Sequence, residues 1–136
     1  MPEPFEMRVE LGKVREFAQA TGSSNPEHLA GVAIPITFLM SSAFWQGPES
    51  SPWPADRDMS RVLHGGQEMV FPDGPPAAGT VLTGQARIGE TYTKEGKRGG
   101  SMTFTEIVTD YRDASGRVVA SSIGTSIETS KPTGGQ

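Results

Sequence analysis

From Gly79 onward the chain alternates, and this constrains the fold more than any other feature of the sequence. Residues 79–92, GTVLTGQARIGETY, set Leu82, Gly84, Ala86, Ile88 and Tyr92 against Val81, Thr83, Gln85, Arg87 and Thr91. A period of two sustained over that length predicts an unusually long strand. TKEGKRGG reads as a turn, after which SMTFTEIVTDYR sets Met102, Phe104 and Val108 against Thr103, Thr105 and Thr109. DASGR, with Gly116, is a second hairpin turn. VVASSIGTSIET then puts Val119, Ile123 and Ile127 on one side, and GQEMVF upstream is also strand-like. Three or four long antiparallel strands joined by tight turns need a cover over one face.

The first half of the chain supplies it. In LGKVREFAQA, residues 11–20, Leu11, Val14, Phe17 and Ala18 form one apolar helical face, with Gly22 as a C-cap just past the end. Pro35 suits the first turn of a second helix running through ITFLMSSAFW to about Trp45. Ile36, Phe38, Leu39, Met40, Ala43, Phe44 and Trp45 make that segment apolar almost all round, which predicts burial on most sides. QGPESSPWPADRD is a proline-rich loop. Small residues at Gly84 and Ala86 would let the helix approach the sheet. The expected architecture is α+β: a long central helix wrapped by a curved antiparallel sheet, the hot-dog arrangement. One domain accounts for residues 1–136, with SKPTGGQ from about residue 130 a frayed, disordered tail. Sheets with open edges of this kind pair edge to edge or back to back, so an oligomer is expected.

Bulk properties narrow the function. With 12 Lys+Arg against 16 Asp+Glu, a nucleic-acid or anionic-membrane footprint is not expected. No apolar run approaches the roughly 18 residues of a membrane span. The acidic start MPEPFEMRVE does not resemble a signal peptide. The absence of cysteine removes disulfides, thiolate metal sites and cysteine nucleophiles, and fits a cytoplasmic location. Two histidines 36 positions apart form no metal motif, and no GxGxxG, GxxxxGK or GxSxG occurs.

Four groups of residues could carry chemistry. Asn25-Pro26-Glu27-His28 is either a turn between helices, capped by Ser23, Ser24 or Asn25, or a site in which His28 acts as a general base. His64-Gly65-Gly66 either marks a tight bend or lets backbone approach a ligand; the bend is favoured. Free N–H groups near Pro35-Ile36-Thr37 could hold an oxyanion, though every helix start offers such donors. Arg87, Lys94, Lys97 and Arg98 could meet the phosphates of coenzyme A, but a solvated hairpin tip is the favoured reading.

Gly22-Ser23-Ser24-Asn25-Pro26-Glu27-His28 resembles the G-D-x-N-P-x-H motif of MaoC-like hydratases and dehydratases. FAQATG before it, IPITF, LHGGQEMVF, PPAAGTVL, YTKEGKRGGSMTFTEIVTDYRDASGRVV and SSIGTSIET extend the resemblance from about residue 5 to 130. The chain is most similar to the N-terminal-type dehydratase domain of type I fatty acid synthases. The resemblance implies a hot-dog domain acting on enoyl and 3-hydroxyacyl thioesters, with no cofactor beyond the coenzyme A or carrier protein of the substrate. It places His28 at the catalytic histidine, with Ser23 where the family has aspartate. A serine hydroxyl is neutral at pH 7 and supplies no carboxylate. Only Leu29 to Ile34 separate His28 from Pro35, a shorter segment than catalytic members carry.

Domains of this type commonly lack the dyad and complete the acyl tunnel of a catalytic MaoC-like partner. The resemblance thus implies a subunit of a heteromeric (R)-specific enoyl-thioester hydratase/3-hydroxyacyl dehydratase. Asn25, Thr37, Phe38, Phe44, Trp45, His64 and Gly65 would line the substrate path. The shortened front segment suggests a bulky or long acyl chain, with coenzyme A preferred over carrier protein. Two alternatives stay open. One is a self-sufficient homodimeric enoyl-CoA hydratase using His28, with Glu27 or a residue of the other subunit in place of the aspartate. The other is a non-catalytic acyl-CoA-binding hot-dog protein.

Overall fold

The computed structural model describes residues 1–97 and 100–131. Five strands form one antiparallel sheet: β1 (Phe5–Arg8), β2 (Val62–Val70), β3 (Val81–Glu95), β4 (Ser101–Arg112) and β5 (Val118–Thr129). Their order across the sheet is β1-β3-β4-β5-β2. Two α-helices, α1 (Leu11–Ala20) and α2 (Pro26–Ala30), precede a 3-10 helix over Phe38–Trp45 that lies against the sheet. Two shorter 3-10 turns, Pro48–Ser50 and Met59–Arg61, shape the proline-rich loop. The curled sheet with a helical segment on its inner face is the hot-dog arrangement that the alternation and the apolar segment imply.

Helix α1 ends as its sequence dictates. Gly22 takes a φ of 73°, Ser23 N–H bonds to Ala18 O at 2.8 Å, and Gly22 N–H to Gln19 O at 3.1 Å. This is a Schellman closure, and it ties the backbone of Ser23 to α1. Helix α2 begins at once. Asn25 caps it by accepting from Glu27 N–H at 3.0 Å, and Pro26 takes the first helical position.

The central segment departs from expectation. It is a 3-10 helix of eight residues, not a longer α-helix from Pro35, and only Phe38, Leu39 and Ser42 of it are buried. Two serines bias the geometry. Ser41 Oγ donates back to Phe38 O at 2.7 Å, an i to i−3 bond. Ser42 is pinned to the sheet by Tyr111, whose hydroxyl donates to Ser42 Oγ at 3.0 Å. At about 2 Å of rise per residue, eight residues still cross roughly 16 Å of sheet. The all-round apolar character therefore does not mean all-round burial: Phe44 is 92% exposed and Ile36 64%.

The core lies at one end of the inner face. Phe5, Met7 and Val9, Val14, Ile34, Phe38 and Leu39, Leu82, Tyr111 and Ala120 form one buried cluster. Gly84 makes room for Phe5, which packs edge-on against Tyr111 at 6.1 Å. Phe17 meets Phe38 in the same way at 5.5 Å. The register breaks between Ile88 and Thr91, so Ile88 pairs with Ile107 but Tyr92 with Phe104. Those partners are three residues apart on β4 and face opposite ways. Tyr92 therefore leaves the face it shares with Leu82 in the sequence pattern and stacks on Phe104 at 5.0 Å on the outer side.

Candidate active site

The Schellman turn and the Asn25 cap bring two side chains together. Ser23 Oγ lies 2.7 Å from His28 Nδ1, and Asn25 Nδ2 lies 3.4 Å from His28 Nε2. His28 is the third residue of α2, where a capping box would place a glutamate reaching back over the helix start. The cap fixes the chemistry of the pair. Because Asn25 Oδ1 accepts from Glu27 N–H, its amide nitrogen must face His28. In the neutral ring Nε2 then accepts from Asn25 Nδ2, and Nδ1 carries the proton and donates it to Ser23 Oγ. Ser23 Oγ also accepts from Asn25 N–H at 3.3 Å, which leaves its own proton free to donate outward. Among the described residues no carboxylate hydrogen-bonds to His28. The site can orient an imidazole and donate a hydrogen bond, but it lacks an acid/base pair.

The remaining candidate residues are dispersed. Thr37 is exposed at the start of the central helix without a side-chain cap, and Phe38 N–H there is taken by Pro35 O at 2.9 Å. His64 is exposed on β2, 3.3 Å from Gln67 Oε1, where the register slips between His64 and Gly66. That slip is the bend the two glycines suggest. A Cβ on Gly65 would sit 2.7 Å from Ile127. Arg87 pairs with Asp110 at 3.6 Å, and Lys94 lies over the rings of Tyr92 and Phe104. Lys97 is exposed at the hairpin tip, and Arg98 lies outside the described residues, as does most of the expected tail.

Two cavities flank the central helix. One of about 660 Å³ lies between it and α1, lined by Phe17, Phe38, Phe44 and Trp45. The other, about 300 Å³, lies between the helix and the inner face of the sheet, lined by Leu39, Ser42, Trp53, Gln67, Ile107 and Ser122 among others. Ser23, Asn25 and His28 line neither. The second cavity brings in residues that the sequence did not single out. Gln67 donates to Ser122 Oγ at 2.6 Å, and Tyr111 is part of the lining. Burial pushes the Tyr111 phenol above its ordinary pKa, and the Ser42 bond works against this. The only sequence signal for Tyr111 was its parity with Thr103, Thr105 and Thr109 on the face opposite Phe104.

A curled five-stranded sheet of this order, holding a short helix on its inner face, defines a hot-dog protein. The profile of the FAS1-like dehydratase domain region matches residues 1–122, and the chain belongs to this branch of the MaoC-like dehydratases. Solved structures agree on the fold. The ChsH1-ChsH2 complex from Mycobacterium tuberculosis is similar with a TM-score of 0.70 at 16% identity, over 98% of this chain and 85% of that one. The HadBC (3R-hydroxyacyl-ACP dehydratase) complex from the same organism gives 0.63 at 18% identity, over 92% and 94%. The R-hydratase PhaJ1 from Pseudomonas aeruginosa gives 0.61 at 16% identity, over 93% and 78%. Among curated proteins no sequence matches the chain significantly. No helix of the described residues is long and apolar enough to cross a membrane.

Proposed function

We propose that this chain is the non-catalytic or weakly catalytic subunit of a heteromeric enoyl-thioester hydratase/3-hydroxyacyl dehydratase. Its partner, a second MaoC-like hot-dog chain, supplies the carboxylate and histidine that add or remove water across an acyl thioester. The observation that carries this reading is the Ser23–His28 pair. Where the family's motif has an aspartate, a neutral hydroxyl accepts the imidazole proton, and the pair opens into neither cavity beside the central helix. Membership in a family whose profile describes a dehydratase region supports the reaction class. Two of the structural neighbours are themselves complexes of two chains, which supports the heteromer. The exposed Ile36, Met40 and Phe44 give such a partner apolar surface to cover.

Co-expression with MaoC-like chains that keep the aspartate tests the proposal. The expected result is a stable complex that hydrates crotonyl-CoA while this chain alone does not, with activity largely retained after His28→Ala. A second reading, a homodimeric hydratase using His28, has one observation in its favour: Nε2 is the unprotonated ring nitrogen, engaged only by a long contact of 3.4 Å from Asn25 Nδ2. It expects activity from the isolated chain and complete loss in His28→Ala. Activity of that kind would overturn the heteromeric reading.

A further inference from the structure

The inner face of β5 carries two different environments on one line of residues. Ser122 and Gly124 line the smaller cavity, and Ser126 and Glu128 follow on the same face. Arg57 Nη2 donates to Ser126 Oγ at 2.7 Å, and Arg61 Nη2 meets Glu128 Oε1 at 2.6 Å. Strand geometry puts Gly124 and Ser126 only about 7 Å apart. Leu39, Ala86, Ile107 and Tyr111 supply apolar lining to the cavity beyond. The pocket, lined by apolar side chains and by Ser42, Gln46, Gln67, Thr109 and Ser122, thus ends one step along β5 from the residue that Arg57 bonds.

Arg61 pairs with Glu128 and also acts on the Asp58 carboxylate, whereas Arg57 makes no ion pair among the described residues. The Nε atoms of both are buried without an acceptor. Arg57 Cζ lies over the ring of Trp53, 3.5 Å from its centroid, and Trp53 also lines the cavity. Stacking on an aromatic ring holds a guanidinium in one plane and leaves its N–H edges directed sideways, the geometry that receives a carboxylate. Burial pushes the Arg57 pKa down, and the nearby Glu128 carboxylate pushes it up.

We propose that the cavity under the central helix takes an apolar chain ending in a carboxylate, and that Arg57 holds that carboxylate. The closeness of Arg57 to the pocket, through Trp53 and Ser126, selects this chemistry. The phosphates of a thioester carrier are separated from the acyl group by the whole carrier arm, whereas a carboxylate on the chain itself lies within reach. The ligand is either a free chain acid or an acyl thioester whose far end bears a second carboxyl group. The inference goes beyond the hydratase reading and needs only the cavity.

Binding to the full chain, with its partner where one co-purifies, tests it. Trp45→Phe leaves Trp53 as the single tryptophan of the two in the sequence, a reporter in contact with Arg57. Decanoate is expected to change its fluorescence saturably, and decanol to bind far more weakly. Arg57→Gln is expected to weaken decanoate about tenfold or more while leaving decanol unchanged. If that variant does not fold, Arg57→Lys, which keeps the charge and loses the fork, should weaken decanoate in the same direction. A thioester of decanedioic acid that outbinds decanoyl thioester would support the proposal and assign the carboxylate to an acyl substrate. Equal binding of the two, with decanoate still preferred to decanol, would support it and assign a free acid. Decanol binding as tightly as decanoate, no saturable change, or coenzyme A alone giving the same Arg57-dependent response would overturn it.

Discussion

The hydroxyl of Tyr111 holds the central helix to the sheet. The side chain is 2% exposed, and its bond to Ser42 is the polar contact between the floor of the sheet and the segment above it. Removing the hydroxyl leaves Ser42 its contact with Gln46, so Tyr111→Phe is expected to cost about 1 kcal/mol, the net worth of one hydrogen bond. The pH dependence follows from burial. Because the folded pKa is raised, the neutral phenol is favoured in the fold, and its contribution is present in full below the unfolded value of about 10. It is lost as pH climbs through the raised folded value. Urea unfolding at pH 7, 9 and 10.5 should show alkaline weakening in the native chain and less of it in Tyr111→Phe. At the same scale, the sequence made Ser23 and His28 stand out, but not their contact. That contact depends on a helix closure and a cap meeting within three residues, and on which way the Asn25 amide faces. A motif spacing specifies neither. Arg57 and Trp53 sit in a loop without periodicity, so nothing in the sequence pointed them toward β5.

At the scale of elements, a small residue on the inner face decides how β1 docks. A Cβ on Gly84 would lie 2.3 Å from the ring of Phe5, which is itself buried against Tyr111 and has no free direction in which to turn. Gly84→Ala is therefore expected to destabilise by roughly 1–3 kcal/mol, the range for an overpacked core. Thermal unfolding measures it, and Phe5→Leu in the same chain should recover part of the loss, because the two sites share one space. The sequence announced α1, β4 and β5 well, since each carries an uninterrupted period bounded by a cap or a hairpin turn. It did not announce β1, where Phe5 and Met7 are too few to establish a period and follow two prolines. The slip between Ile88 and Thr91 was equally hidden, because a bulge breaks parity without changing composition. The central helix was legible as an apolar cover, but not as a 3-10 helix, since that choice rests on serine hydroxyls and the grip of Tyr111.

For the whole molecule, the distribution of apolar surface is uneven in a way that stability alone does not explain. Leu29, Val32, Ile36, Met40 and Phe44 recur every three or four residues along one stretch, with exposures of 38%, 61%, 64%, 47% and 92%. Soluble monomers seldom expose large apolar patches without use for them. The heteromer reading gives this stretch a use, and it separates two phenylalanines six positions apart. Phe38, 2% exposed and packed on Phe17, belongs to the fold of the single chain, so Phe38→Ala should cost about 3–5 kcal/mol. Phe44 touches little within the chain, so Phe44→Ala should leave its unfolding within about 0.5 kcal/mol of the parent. In the complex the order reverses. Loss of a large exposed aromatic from an interface is expected to weaken association about tenfold or more. Calorimetric titration of the partner into each folded variant reads this directly: a Phe44→Ala chain that binds its partner as the parent does would place the interface elsewhere.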